Sequence, residues 1–164
     1  MNYATVQDMI DRFGEAELIQ LTDLDLLAVQ VPKAQRALDD AQALADGYVG
    51  RVFRLPLVGC AKPAPVPGDV GAVQMVAPPQ LTRIACDVAR YYMHDALAPE
   101  HEVYLRYKAA ERELAAIAEG KSVLSCPWGG LPGTLVAGDA PGDAEVFHSF
   151  SPRQITDASL RGFA

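Results

Sequence analysis

The sequence predicts a mainly α protein, a small helical bundle with a long proline-rich loop and an extended C-terminal arm. Apolar residues recur at steps of three and four in several stretches between Val6 and Ile117. Prolines and glycines gather in two other stretches, residues 55–79 and the residues after Lys121, where a helix cannot run on. A chain of 164 residues, 50% of them hydrophobic, is ample for one core that buries roughly two thirds of the unfolded surface.

The first 23 residues form a compact helical unit. Thr5 can cap the orphan amides of the next turn, Asp8 stands at the capping-box position, and Val6, Met9, Ile10 and Phe13 make one apolar stripe. Gly14 ends that helix, and Glu15, Ala16, Glu17, Leu18 and Ile19 begin a second, short one whose acids sit where the helix dipole favours them. Thr22 and Asp23 close the unit. Pro32 suits a first helical turn, and Ala34, Ala37, Leu38, Ala41, Leu44, Ala45, Tyr48, Val49 and Val52 predict a helix over 32–53. Gly47 and Gly50 each cost up to about 1 kcal/mol relative to alanine there, so the expectation is that they permit a close helix crossing.

Residues 55–79 hold six prolines and two charged residues, which predicts a long loop. Contact with another subunit and a disordered insertion both fit such a stretch. Helix returns over 79–97, with Leu81, Ile84, Ala85, Val88, Tyr92 and Ala96 on one face. It resumes over 99–119 with Val103, Tyr107, Ala110, Leu114 and Ile117. The short joint predicts an antiparallel pair, and Gly120 is a natural stop. Residues 1–121 thus read as a helical domain and 122–164 as an extended arm. In the arm Ser122–Ser125 could form a short strand and Trp128 an anchor. Val146, Phe147, Phe150, Leu160 and Phe163 are apolar without an internal core, which implies docking onto the domain or a partner.

Fourteen basic against 21 acidic side chains leave a net charge of −7, which argues against tight nucleic-acid binding by a broad basic face yet suits a surface past which DNA slides. No apolar run approaches the roughly 20 residues of a membrane span, so no membrane partner is expected and a cytosolic protein is the default. Cys60, Cys86 and Cys126 are odd in number and far apart, which suggests incidental thiols and neither a disulfide framework nor a metal site.

Catalytic motifs are weak. His94-Asp95 resembles the metal-binding pair of HD phosphohydrolases, but no histidine precedes it, and His101 and His148 lie beyond a proline and in the tail. WGGLPG lacks the strand, helix and lysine of a phosphate cradle, and Ser122, Ser125, Ser149 and Ser151 lack a nucleophile elbow. Arg90, Tyr91, Tyr92, Tyr104, Arg106 and Tyr107 could stack bases, although tyrosines at helical spacing are usually core residues with wet hydroxyls. No catalytic residue, metal or cofactor is expected.

Five blocks in order, YATVQDMIDRFGEAELIQLTD, ALADGYVGRVFRLPL, LTRIACDVARYYMH, RYKAAERELAAIAEGKSVL and FSPRQITDASLRGF, resemble the neck proteins of Mu-like bacteriophages and prophages. These are head-tail connectors, also called adaptor or head-completion proteins. The Gly59–Pro78 loop looks longer and richer in proline than that family's pattern.

The resemblance implies a virion protein of the neck, assembled in the host cytoplasm. It implies a homo-oligomeric ring, typically of twelve, below a portal protein, with a tail-side neck or tail terminator protein beneath and DNA in its channel. Expected interface residues are the acids Glu15, Glu17 and Asp23, the cluster Arg51, Phe53 and Arg54, and the arm residues Trp128, Phe147, Phe150, Leu160 and Phe163. The rival reading is a helical DNA-packaging or regulatory protein of small-terminase type. It wants a clustered basic helix, whereas Arg83, Arg90, Arg106, Lys108 and Arg112 are interleaved with acids.

Overall fold

A computed structural model describes residues 1–23, 25, 27–63, 72–94 and 97–136. Among the described residues five helices and one antiparallel strand pair follow in the order α1 (Val6–Phe13), α2 (Glu15–Thr22), α3 (Val31–Val49), β1 (Cys60–Lys62), β2 (Gln74–Val76), α4 (Pro79–Tyr92) and α5 (Glu102–Ala118).

The capping box at the start of α1 is complete. The Asp8 amide donates to Thr5 Oγ1 at 3.2 Å, and the Thr5 amide donates to the Asp8 carboxylate at 2.8 Å. Gly14 has φ 88°, a left-handed value that lets α2 begin at once in a new direction. Ahead of α1, Tyr3 straps the N-terminus onto two helices. Its hydroxyl donates to Asp46 of α3, and its carbonyl accepts from Thr82 of α4 at 2.8 Å. Burial, reinforced by that aspartate, raises the pKa of the Tyr3 phenol.

The core is built on α3, α4 and α5. Ala34, Ala37, Leu38, Ala41, Ala45 and Val49 meet Leu81, Ile84, Ala85, Val88 and Ala89, with Ala110, Leu114 and Ile117 behind them. Gln80 and Arg83 near the start of α4 bond Glu113 late in α5, while Tyr91 at the end of α4 stacks on Tyr107, so the pair is antiparallel as expected. The small residues of α3 are alanines at the crossing. A Cβ at Gly47 would meet nothing within 4 Å, so the close-crossing role expected of that glycine falls to Ala41 and Ala45. Gly50 caps the end of α3, and a Cβ there would lie 2.9 Å from the Asp46 carbonyl oxygen and 3.0 Å from Leu55 Cδ1, so the space it leaves serves the chain's own turn and not the expected helix crossing.

Several boundaries differ from the sequence reading. Helix α3 stops at Val49, before the expected 53, because Phe53 leaves the helix to form a β-bridge with Leu135. Helix α4 stops at Tyr92 before the expected 97, and α5 starts at Glu102, capped by His101 Nδ1, which accepts from the Val103 amide. The 55–79 stretch is not loop throughout. Strands β1 and β2 pair antiparallel, with Cys60 opposite Val76 and Lys62 opposite Gln74. Two three-residue strands carry too little alternation to stand out among prolines. The strand expected at Ser122–Ser125 is not formed.

The described part of the C-terminal stretch returns to the body. Leu124 is buried in the core, and the Arg54, Gly59 and Val136 amides donate to the Thr134, Pro132 and Val52 carbonyls, each at 2.8 Å. Cys60 and Cys126 form a disulfide that ties the hairpin to this return. That corrects the expectation of incidental thiols: 66 positions separate the pair in sequence, but the return segment brings their Cα atoms to 5.4 Å. Cys86 is the remaining, buried thiol, pushed up to about 12 chiefly by desolvation. Gly59 sits at this junction with φ 101°, where a Cβ would lie 2.8 Å from the Val76 carbonyl oxygen.

Candidate assembly surfaces

The N-terminal acids fall into three different environments. Glu15 is exposed in the first turn of α2. Glu17 is half-buried and pairs with Arg90 of α4 at 2.5 Å, and the Arg90 guanidinium also lies 4.6 Å from the Phe13 ring centre. Asp23 turns inward. Its carboxylate accepts the amides of Asp25, Leu27 and Ala28 at 3.0–3.2 Å, which orders the α2–α3 connection. Those amide donors hold the Asp23 carboxyl below its ordinary range.

Of the cluster at the end of α3, Phe53 is buried at 1% exposure, and Arg51 and Arg54 are exposed on either side of it. Phe53, expected with Arg51 and Arg54 at an interface, is thus a core residue, and its backbone bridges to Leu135. Beside it opens a mainly apolar groove of about 870 Å³ between the ends of α3 and α5. Phe53, Ile117, Leu124, Leu131 and Leu135 form its walls, with Arg51 and Glu119 at the rim. Trp128 lies 44% exposed at the turn before Gly129 and Gly130 and does not line this groove. Phe147, Phe150, Leu160 and Phe163 lie outside the described residues.

A second surface lies toward the other end of α5. Tyr91 stacks on Tyr107 with ring centres 4.2 Å apart and planes 14° apart, and Tyr92 and Tyr104 stand 6.0 and 5.9 Å from Tyr91. None of the four is buried: Tyr92 is 39% exposed and the others are half-buried, with Leu105 half exposed nearby in sequence. The sequence reading groups these rings as a cluster that could stack bases and prefers core packing for them, without naming them as an assembly surface. Their convergence depends on the α4–α5 register, although tyrosines at the end of one helix and the start of the next were a signal for it. Desolvation, and after it the Tyr107 phenol and the acids Asp40 and Glu111, raise the Tyr92 pKa. From Tyr104 to Ile117 is thirteen residues of α5, so about 20 Å separates the tyrosine plate from the groove.

His94 and His101, set apart in sequence by a proline, come within 6.2 Å ring to ring, but His101 is occupied as the α5 cap. Among the described residues no three metal-ligating side chains converge, and no helix is long and apolar enough to cross a membrane. The basic side chains on α4 and α5 are largely neutralised. Arg83 pairs with Asp87 and Glu113, Arg90 with Glu17, Arg106 with Glu102, and Lys108 with Glu111.

Residues 3–132 match the family described as "Bacteriophage Mu, Gp36". The chain is also 32% identical over 124 residues to "Gene product J" of Escherichia phage Mu, an alignment spanning 74% of this chain and 75% of that protein.

Proposed function

This chain belongs to the bacteriophage Mu Gp36 family, and on that premise we propose that it is a structural virion protein, a head-tail connector subunit. In this reading copies of the chain, typically twelve, form a ring in the neck. The portal protein lies above, a tail-side neck or tail terminator protein below, and DNA passes through the channel. The observation that carries it is the pair of unlike exposed surfaces on one small body, the tyrosine plate and the apolar groove, about 20 Å apart along α5. A ring needs two different faces per subunit, because a heterologous contact closes only when one face meets another. Stacked, half-exposed tyrosines are also the residue type that concentrates binding energy at protein contacts.

The paired basic side chains of α4 and α5 favour this reading over a DNA-binding packaging protein, since an arginine held by a carboxylate has less to offer a phosphate. Imaging of intact particles tests it. A ring of this chain between portal and tail is the expected result, and a neck without the chain would overturn the proposal. Tyr107→Ala with Tyr91→Ala should leave helicity nearly unchanged while tailed particles are lost. Deletion of residues 145–164 should act likewise, and normal DNA-filled tailed particles from it would count against the arm's part in assembly.

A further inference from the structure

The groove and the tyrosine plate, about 20 Å apart along α5, are complementary in chemistry and in border charge. The groove is an apolar hollow walled by Phe53, Ile117, Leu124, Leu131 and Leu135. Its volume of about 870 Å³ is within the range of pockets that bury most of a ligand's surface. Its border is basic. Arg51 lines the rim and Arg54 stands exposed just beyond, whereas the acid Glu119 is held by Lys121 at 2.6 Å.

The plate offers what such a groove takes. Its four rings each carry an apolar body and a polar tip, and Tyr92 is the most exposed of them at 39%. Its border is acidic. Asp40 of α3 is exposed, and its charge acts on the Tyr92 phenol. Lys108, the cation beside Tyr107, is neutralised by Glu111 at 2.6 Å. Unlike the charged side chains of α4 and α5, Arg51, Arg54 and Asp40 form no ion pair among the described residues, so a basic border and an acidic border are left to meet.

A copy cannot fill its own groove with its own plate, because α5 runs unbroken from Glu102 to Ala118 and holds the two apart. The plate of a second copy can reach it, and such a contact repeats from copy to copy as a heterologous interface does. We infer that this groove receives the tyrosine plate of a second copy of the chain, with Tyr92 and Tyr104 on the apolar walls and Asp40 beside Arg51. The tyrosine hydroxyls stay at the wet rim, where Arg51 can also lie over a ring face. This contact rests on the connector reading and names the two faces at which neighbouring subunits of the ring meet.

The full-length chain carrying the photoreactive residue p-benzoylphenylalanine at position 104 is mixed with an equal amount of isotope-labelled chain, irradiated at high concentration and mapped by mass spectrometry. Adducts joining the two chains are expected on labelled peptides carrying Phe53, Leu124 or Leu131, at a yield that rises with protein concentration. Arg51→Asp in the labelled chain should lower that yield about tenfold, and Asp40→Arg in the photoreactive chain should restore it, because the swap returns opposite charges to the two borders. Both side chains are exposed, so the helical spectrum should be kept. Leu131→Asp in the labelled chain, at a side chain 45% exposed, should lower the yield independently by setting a charge into the apolar wall. Adducts within one chain, adducts elsewhere on the second copy, no adducts, a yield unmoved by Arg51→Asp or Leu131→Asp, or a loss that Asp40→Arg does not restore would each overturn the contact. A ring seen in particles together with adducts elsewhere would overturn the contact alone, and groove adducts from a chain absent from the neck would overturn the connector reading alone.

Discussion

The ion pair between Glu17 and Arg90 decides whether the opening unit is an assembly edge or part of the folded body. The two side chains are 28% and 16% exposed and meet at 2.5 Å, with the guanidinium also over the Phe13 ring. Exposed pairs contribute about 0.2–1 kcal/mol, and this degree of burial puts the pair near the upper end, about 1 kcal/mol. The contact with Phe13 adds about 0.5–1 kcal/mol. Glu17→Gln should therefore cost about 1 kcal/mol of unfolding free energy. Arg90→Met, which keeps the aliphatic stem, should cost about 1.5–2 kcal/mol. The double variant should cost no more than Arg90→Met alone, which makes the coupling about 1 kcal/mol. Urea denaturation of the four proteins measures this, and the coupling should shrink at high salt as screening rises. A coupling below about 0.3 kcal/mol would refute the argument. So would a Glu17→Gln protein of unchanged stability that fails to assemble, since that would return Glu17 to a subunit edge.

Phe53→Ala should cost about 3–5 kcal/mol in the same assay, because it empties a fully buried site on which α3, α5 and the return segment converge; unchanged stability with lost assembly would restore Phe53 as an interface anchor. The carboxyl of Asp23 is held below its ordinary value by amide donors, so its stabilisation is present above about pH 4 and lost as pH falls through the lower folded value. In Asp23→Asn that acid-limb loss of stability should flatten in a pH series of melting curves. Asp87 has the opposite sign: burial raises its pKa against the opposing pull of Arg83, so ionisation costs stability as pH rises from about 3.9 through the raised value. Asp87→Asn should leave stability at pH 7 equal or higher, and a clear loss would mean the Arg83 contact outweighs desolvation. Alkylation of the unfolded, unreduced chain should modify one thiol, Cys86, whereas three modified thiols would refute the Cys60–Cys126 bond.

Much of the fold was legible in the chain itself. Thr5 and Asp8 announce α1, Gly14 its end, Pro32 the first turn of α3, and the spacing of Leu81, Ile84 and Val88 the buried face of α4, because caps and periodicity act within one or two turns. The helix ends were less legible. Periodicity carries Val52 and Phe53 on with α3, and only the arrival of Leu135 takes Phe53 out of it. The site residues divide on the same line. That Glu15 is exposed follows from local pattern, but the inward turn of Asp23 depends on amides up to five residues ahead, and the engagement of Glu17 depends on an arginine 73 residues away.

The sequence by itself determined the helical class, the order of the helices and the membership in the Mu Gp36 family, since propensity, capping and ordered blocks of residues are written in neighbouring positions. Tertiary structure alone decided that Cys60 meets Cys126, that a strand pair interrupts the proline-rich stretch, that four tyrosines form one plate, and that a groove opens beside Phe53. Each of those joins residues from distant segments, and their meeting is set by how α3, α4 and α5 pack, which no local pattern encodes.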